Sequence, residues 1–443
     1  MSARDFRELG ELAWQWVLAQ VHTNDGPWIP TEVDDSGVVT APDDDMRDSI
    51  YNGVAGLGWT LAEIRLSRPW SATESELALT LTRWLTERAR TREVPSLYWG
   101  LAGDATILHL LGGREEGQEV LDWIASLMVA AQWASTVGDG PKVKVNDLLA
   151  GAAGVALAGV WCGGESGHGL AREAARELVA RADSVDGGFD WPMWDGFDIR
   201  MPNYSHGTAG IASALAVAGA ELDAPEFIDA ATRGAAHVVA LADLSSGHMI
   251  VPHYVPFPTW HDEEPVTYSW CHGPTGTMHL FSALAHAGVE SVGSFDVIDL
   301  HDRCVRAILD SPVPDRVRPG YWDNDGQCCG TAGVGDVLLD VAQCARDRDV
   351  AWSTQCQEGA VRMGTALVER AVVDDAGARW RFVEHRREQP LLWPGTGWSQ
   401  GAAGIAAFLL RLARVLDTGL DAPAVDRPDT WWSLPSGVRT TRR

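Results

Sequence analysis

Two kinds of segment alternate along the chain. Seven segments, 3–21, 74–91, 116–135, 170–185, 225–244, 297–311 and 350–372, are amphipathic at helical spacing, with charges gathered on one face. The segments between them are nearly uniform in apolar character. Three stretches, 148–164, 201–220 and 270–289, contain no Asp, Glu, Lys or Arg over 17, 20 and 20 residues. All are rich in Gly and Ala, and the second and third are interrupted by His, Asn, Pro or Ser, which is the composition of a buried helix rather than a membrane span. A helix that is apolar all round must be covered on every side, so the alternation predicts two concentric layers. The expected fold is all-α, an α/α toroid of fourteen helices arranged as seven hairpins.

One short pattern, Gly-x-x-Gly, opens each apolar segment. It occurs at Gly53/Gly56, Gly100/Gly103, Gly151/Gly154, Gly207/Gly210, Gly273/Gly276, Gly330/Gly333 and Gly401/Gly404. Successive copies are 47, 51, 56, 66, 57 and 71 residues apart, the size of a helical hairpin with a loop of varying length. Glycine at an inner-helix start lets neighbouring backbones approach, so a packing role is expected, with free N–H groups pointing toward one end of the barrel. The loops before the fourth to seventh repeats, around 187–204, 248–260, 319–327 and 378–398, are long and aromatic, and binding residues concentrate in such loops. A single barrel domain is expected over 1–420. The remainder, 421–443, carries Pro423, Pro428 and Pro435 and reads as a loosely attached C-terminal extension.

Composition narrows the function classes. Of 443 residues, 35 are Lys or Arg and 61 are Asp or Glu, a formal charge of −26. Such a chain lacks the dense basic surface that phosphate neutralisation needs, which excludes a nucleic-acid binder. The first twenty residues interleave charges with apolar positions and lack the uninterrupted core of a signal peptide. Seven Cys without a secretory signal fit a reducing compartment, so a cytoplasmic protein without a transmembrane segment is expected.

Polar residues beside the glycines occupy equivalent places in successive repeats and should converge on one end of the barrel. They are Asp147 before Gly151, His206 before Gly207, Cys271-His272 before Gly273, and Cys328-Cys329 before Gly330. Thiolate and imidazole are donors that zinc prefers, and a catalytic zinc keeps three protein ligands with one position open. Cys271, Cys328 and Cys329 can supply that set. Alternatively, Cys271 is a small buried hydrophobe, and Cys328-Cys329 is an inert pair or a vicinal disulfide. His272 is either a ligand or a hydrogen-bonding neighbour of the site. His206 is an acid/base candidate or a helix cap, and Asp147 could act likewise or serve as an N-cap. Cys162, Cys304, Cys344 and Cys356 lie away from repeat starts and read as ordinary thiols.

At these positions the chain resembles the lanthionine synthetase C-like family, the LanC-like cyclases. The resemblance runs through the seven repeats and is most specific at Ser205-His206-Gly207, Trp270-Cys271-His272-Gly273 and Cys328-Cys329-Gly330. It implies an α/α toroid with one Zn²⁺, held by Cys271, Cys328 and Cys329 with a substrate thiolate or water in the fourth position. Most members have histidine where Cys329 stands. Three thiolates leave one extra negative charge on the centre, which should make a bound substrate thiolate more electron-rich. The resemblance assigns His206 and Asp147 to acid/base positions. It implies a stand-alone bacterial cyclase that forms thioether rings in a dehydrated precursor peptide, the dehydration being done by a separate dehydratase or kinase/lyase enzyme. Glutathione addition to dehydrated residues, as in eukaryotic relatives, is the competing activity, and a non-catalytic scaffold is the competing class. A glycosidase is disfavoured because no pair of acidic residues converges at the repeat starts.

Overall fold

The computed structural model describes residues 1–129, 135–136, 142–258, 265–316, 324–383, 389 and 391–440. Parts of the loops at 248–260, 319–327 and 378–398 lie outside the described residues. Among the described residues there are fifteen α-helices, of which all but the four-residue α2 (Asp44–Arg47) belong to the expected alternation.

The outer layer is α1 (Ala3–Ala19), α4 (Ala72–Ala89), α6 (Arg114–Val129), α8 (Gly164–Ala180), α10 (Pro225–Leu241), α12 (Val297–Leu309) and α14 (Val350–Arg370). Each buries one stripe, as in α8, where Gly167, Leu170, Ala171, Ala174, Ala175 and Leu178 face inward. Expected ends at Ser135 and Val185 overran the helices, because both residues lie in short β-hairpins that follow the outer helices. The inner layer is α3 (Gly56–Ser67), α5 (Leu101–Leu111), α7 (Ala152–Cys162), α9 (Thr208–Glu221), α11 (Pro274–His286), α13 (Thr331–Ala345) and α15 (Ala402–Thr418). Each inner helix packs on the next, and α15 returns to α3, which closes the ring. The opening helix α1 covers α15 from outside.

The glycines act by close approach. A Cβ on Gly210 would stand 1.9 Å from the carbonyl oxygen of Tyr204, and one on Gly276 would stand 1.9 Å from that of Trp270. The helix-start N–H groups are not free, contrary to expectation. In six of the seven turns the N–H after the first glycine bonds back to the carbonyl seven residues earlier, as Ala152 N does to Val145 O at 3.0 Å and Thr208 N to Met201 O at 3.0 Å, and in the other that place is Pro274, which has no N–H. These turns therefore satisfy their own donors and offer no ready anion site.

Several inner helices depart from charge-free character, and buried charges of α3, α13 and α15 are paired inside the ring. Arg411 of α15 bonds Asp336 at 2.7 Å and Asp340 at 2.6 Å, both on α13. Arg414 pairs with the buried Glu63 of α3. A buried ion left alone would be very costly, so the pairing makes these charges tolerable in the core.

The C-terminal segment is packed into the barrel rather than loosely attached. Gln343 donates to the carbonyls of Leu420 and Ala422, and Trp161 donates to Asp426 O, all from the later turns of inner helices. Further on, Tyr98 bonds the Asp429 carboxylate at 2.8 Å and Tyr204 bonds the Asp429 carbonyl at 2.5 Å. Trp431, Trp432, Leu434 and Val438 are buried. The prolines do not hold this segment off, since its aromatic residues fill the barrel's interior.

Candidate metal centre and acid/base pair

The residue two places before each repeat's first glycine occupies the same position in the ring: Tyr51, Tyr98, Leu149, Ser205, Cys271, Cys328 and Ser399. These turns are laced together through their backbones in one direction. Ser205 N donates to Cys271 O, Cys271 N to Cys328 O, Cys328 N to Ser399 O, Ser399 N to Tyr51 O and Tyr51 N to Tyr98 O, at 2.8–3.2 Å. Tyr98 N continues the belt to Leu149 O at 3.0 Å. The belt sets neighbouring repeats in register and places Cys271 and Cys328 side by side, although 57 positions separate them.

Cys329 adds the third sulfur. Its Sγ lies 3.6 Å from that of Cys271 and 3.5 Å from that of Cys328, and all three fall within 4.8 Å of one another. All three are buried and none is in a disulfide, so the Cys328-Cys329 pair is a pair of thiols. Cys162, Cys304, Cys344 and Cys356 are also free and stand apart from the cluster. Burial pushes the Cys271 thiol well above its ordinary range, which favours the neutral form until a cation compensates the charge. Thiolates about 2.3 Å from a tetrahedral metal stand roughly 3.8 Å apart, so the sulfur separations suit a soft divalent ion with only small adjustment. Three buried thiols in contact are thus a donor set that can hold a metal.

Two hydroxyls touch these sulfurs. Tyr51 donates to Cys328 Sγ at 3.3 Å and accepts from Gln400 Nε2 at 3.0 Å. Ser269 Oγ lies 3.2 Å from Cys271 Sγ and 3.2 Å from Thr267 Oγ1. Neither residue emerged from the sequence reading. Tyr51 shares the ring position of Cys271 and Cys328, so superposing the repeats by their glycines would have exposed it.

The acid/base candidates come together on neighbouring turns. His206 Nδ1 is 2.6 Å from Asp147 Oδ2, and Asp147 Oδ1 accepts the N–H of Ala150 at 2.7 Å. Asp147 therefore supports its own turn and also orients the imidazole, while the N-cap position of α7 is held by Gly151. His206 N is held by Asn203 Oδ1 at 3.4 Å, and Asn203 Nδ2 in turn donates to His253 O at 3.1 Å. The His206 ring is 5.7 Å from the His272 ring, and His272 is 3.9 Å from His253, which stacks on Tyr254 at 4.0 Å. His272 is absent from the sulfur cluster and joins this aromatic row instead. Beside it Trp194, Phe197 and Tyr254 pack on Val145, Met193 and Met201, so the loops before the fourth and fifth repeats wall this side of the site.

One opening adjoins the sulfurs, and a second is lined by none of the three cysteines. A small cavity beneath Cys328 is lined also by Tyr98, Trp270, Trp398, Arg427 and Asp429, so the C-terminal segment forms part of its floor. That second opening, a rim groove, is lined by Glu32, Asn52, Gln400, Phe382, Leu392 and Trp393. Among the described residues no helix is long and apolar enough to cross a membrane.

The sequence profile of a family described as lanthionine synthetase C-like protein matches residues 44–414. Among solved structures, nisin cyclase is similar over 83% of this chain and 89% of its own, with 13% identity and a TM-score of 0.57. An unsaturated glucuronyl hydrolase specific for heparin is similar over 94% of this chain and 98% of its own, with 11% identity and a TM-score of 0.49. No curated protein sequence matches the chain at a significant level. The likeness to nisin cyclase shows the α/α toroid.

Proposed function

The chain belongs to the lanthionine synthetase C-like family, and on that premise we propose that it is a cyclase forming thioether rings in a dehydrated peptide. The observation that carries this reading is the meeting of three buried thiols with an oriented imidazole–carboxylate pair at one end of the barrel. Zn²⁺ held by Cys271, Cys328 and Cys329 would supply a lowered pKa to a substrate thiol, whose ordinary value of about 8.5 leaves it mostly protonated at neutral pH.

The reaction is addition of a peptide cysteine S–H across the alkene of dehydroalanine or dehydrobutyrine. A bond forms from sulfur to the β-carbon, and the proton ends on the α-carbon, so mass is unchanged. His206 is the group placed to move that proton, as base toward the thiol and as acid toward the α-carbon. Asp147 accepts from Nδ1 and so directs the other ring nitrogen to the substrate. Asn203 holds the backbone of His206, and Trp194, Phe197 and Tyr254 pack around Val145 and Ala150, which flank Asp147 in its turn. The alkene must be installed beforehand by dehydration of serine or threonine, which makes a separate dehydrating enzyme the partner in sequence.

The test is incubation of zinc-loaded protein with a dehydrated peptide that carries one cysteine, with and without glutathione. Ring closure at constant mass without added thiol supports the cyclase. Product only as a glutathione adduct would move the assignment to intermolecular thiol addition, and no reaction in either tube would leave the scaffold reading.

A further inference from the structure

We propose that Tyr51 is a positioning residue of the metal centre, whose phenol stabilises Cys328 as a thiolate ligand by donating a hydrogen bond to its sulfur. The inference rests on the reading of Cys271, Cys328 and Cys329 as a metal site. Three thiolates around a divalent cation carry one net negative charge, and the three sulfurs are buried. Buried anionic sulfur needs donors, and a hydrogen bond to a charged acceptor is roughly twice as strong as a neutral one. A site of two thiolates and one imidazole would be neutral and would need less such support.

The geometry around Tyr51 suits that task. Gln400 Nε2 donates to the phenol oxygen at 3.0 Å, which leaves the phenol hydrogen for Cys328 Sγ at 3.3 Å. Asn52 Nδ2 donates to Gln400 Oε1 at 3.4 Å, so the amide that orients the phenol is itself oriented. The ring is held edge-on by Tyr98 and Trp99 at 6.3 and 6.2 Å. Its backbone carbonyl takes the N–H of Ser399, whose own carbonyl takes the N–H of Cys328. Phenol and thiol are therefore fixed by the same belt. The chain from Asn52 through Gln400 and Tyr51 also links the rim groove to the sulfur cluster, because Asn52 and Gln400 line that groove. On the opposite side Ser269 stands in the corresponding relation to Cys271.

The experiment measures zinc affinity of the full chain by chelator competition, and the thiolate-to-cobalt charge-transfer band of the cobalt-substituted protein. It compares wild type, Tyr51→Phe and Gln400→Leu. Tyr51→Phe is expected to keep one equivalent of metal while binding zinc about 10–100-fold more weakly, with the band moved to lower energy. Gln400→Leu, which leaves the phenol in place but unoriented, should shift both readouts in the same direction by less. Should Tyr51→Phe fail to fold, Gln400→Leu decides alone. Wild-type affinity and an unmoved band in the folded variants overturn this inference while leaving the metal site standing. A wild type that binds no zinc overturns the metal-site reading and this inference with it.

Discussion

His206 and Asp147 are 59 positions apart in sequence, yet the imidazole Nδ1 and the carboxylate Oδ2 are 2.6 Å apart, each carried on the turn that opens an inner helix. The pair is built by the belt of turns rather than by any local element. Removing the imidazole with His206→Ala should slow ring formation by about 10²–10⁴-fold, the range for loss of a positioned acid/base group. Asp147→Asn should act in the same direction, because an amide cannot hold the same tautomer by charge. Single-turnover ring formation beside metal analysis checks both. The zinc content of each variant should equal that of wild type, since neither side chain belongs to the sulfur cluster.

Glycine positions divide by what surrounds them. Gly210→Ala would drive a methyl group to 1.9 Å from a backbone carbonyl and should destabilise the protein by about 3 kcal/mol or prevent folding. Gly169 lies exposed within α8 with no heavy atom near the place of an added Cβ, so Gly169→Ala should stabilise by about 0.5–1 kcal/mol. Urea denaturation of the two variants should therefore give shifts of opposite sign.

Much of the toroid was legible because its signals are local and repeated. A glycine pair followed by an apolar helix recurs seven times, and the outer stripes such as that of α8 follow the helical period directly. The meeting of Cys271 and Cys328 was legible for the same reason, since equal places in a repeat lie on one ring, and Cys329 follows as the sequence neighbour of Cys328. Tyr51 shares the cysteines' place in the repeat, so its position was legible but its role was not, and Ser269 had neither signal, because a tyrosine or serine carries no ligand signature and acts only through the sulfur that the fold brings to it. The C-terminal segment reads as loose from its three spaced prolines, whereas its packing depends on long-range partners such as Tyr98, Tyr204 and Trp161.

That segment should behave as core. Trp431 is among the largest fully buried side chains, so Trp431→Ala should cost about 3–5 kcal/mol, measured by denaturant unfolding. A loosely attached tail would show a change below about 0.5 kcal/mol.

Acid sensitivity should follow from His279, which bonds Ser433 at 2.9 Å and whose carbonyl takes the indole N–H of Trp432. Burial pushes this imidazole down from 6.5 to about 3, so the folded chain keeps it neutral where the unfolded chain takes up a proton. Between those values the unfolded state binds more protons, and stability falls as pH falls, by up to about 1.4 kcal/mol per pH unit. His279→Gln should flatten the acid limb of stability against pH by up to one proton. An unchanged slope would mean that His279 is already charged in the folded protein.

The central claim is tested most directly by following free thiol and mass together when zinc-loaded protein meets a dehydrated, cysteine-containing peptide. Wild type should consume the peptide thiol with no change in mass, and Cys271→Ala should lose both zinc and the reaction. Equal behaviour of the two proteins, or a wild type that takes up no zinc, would contradict the account.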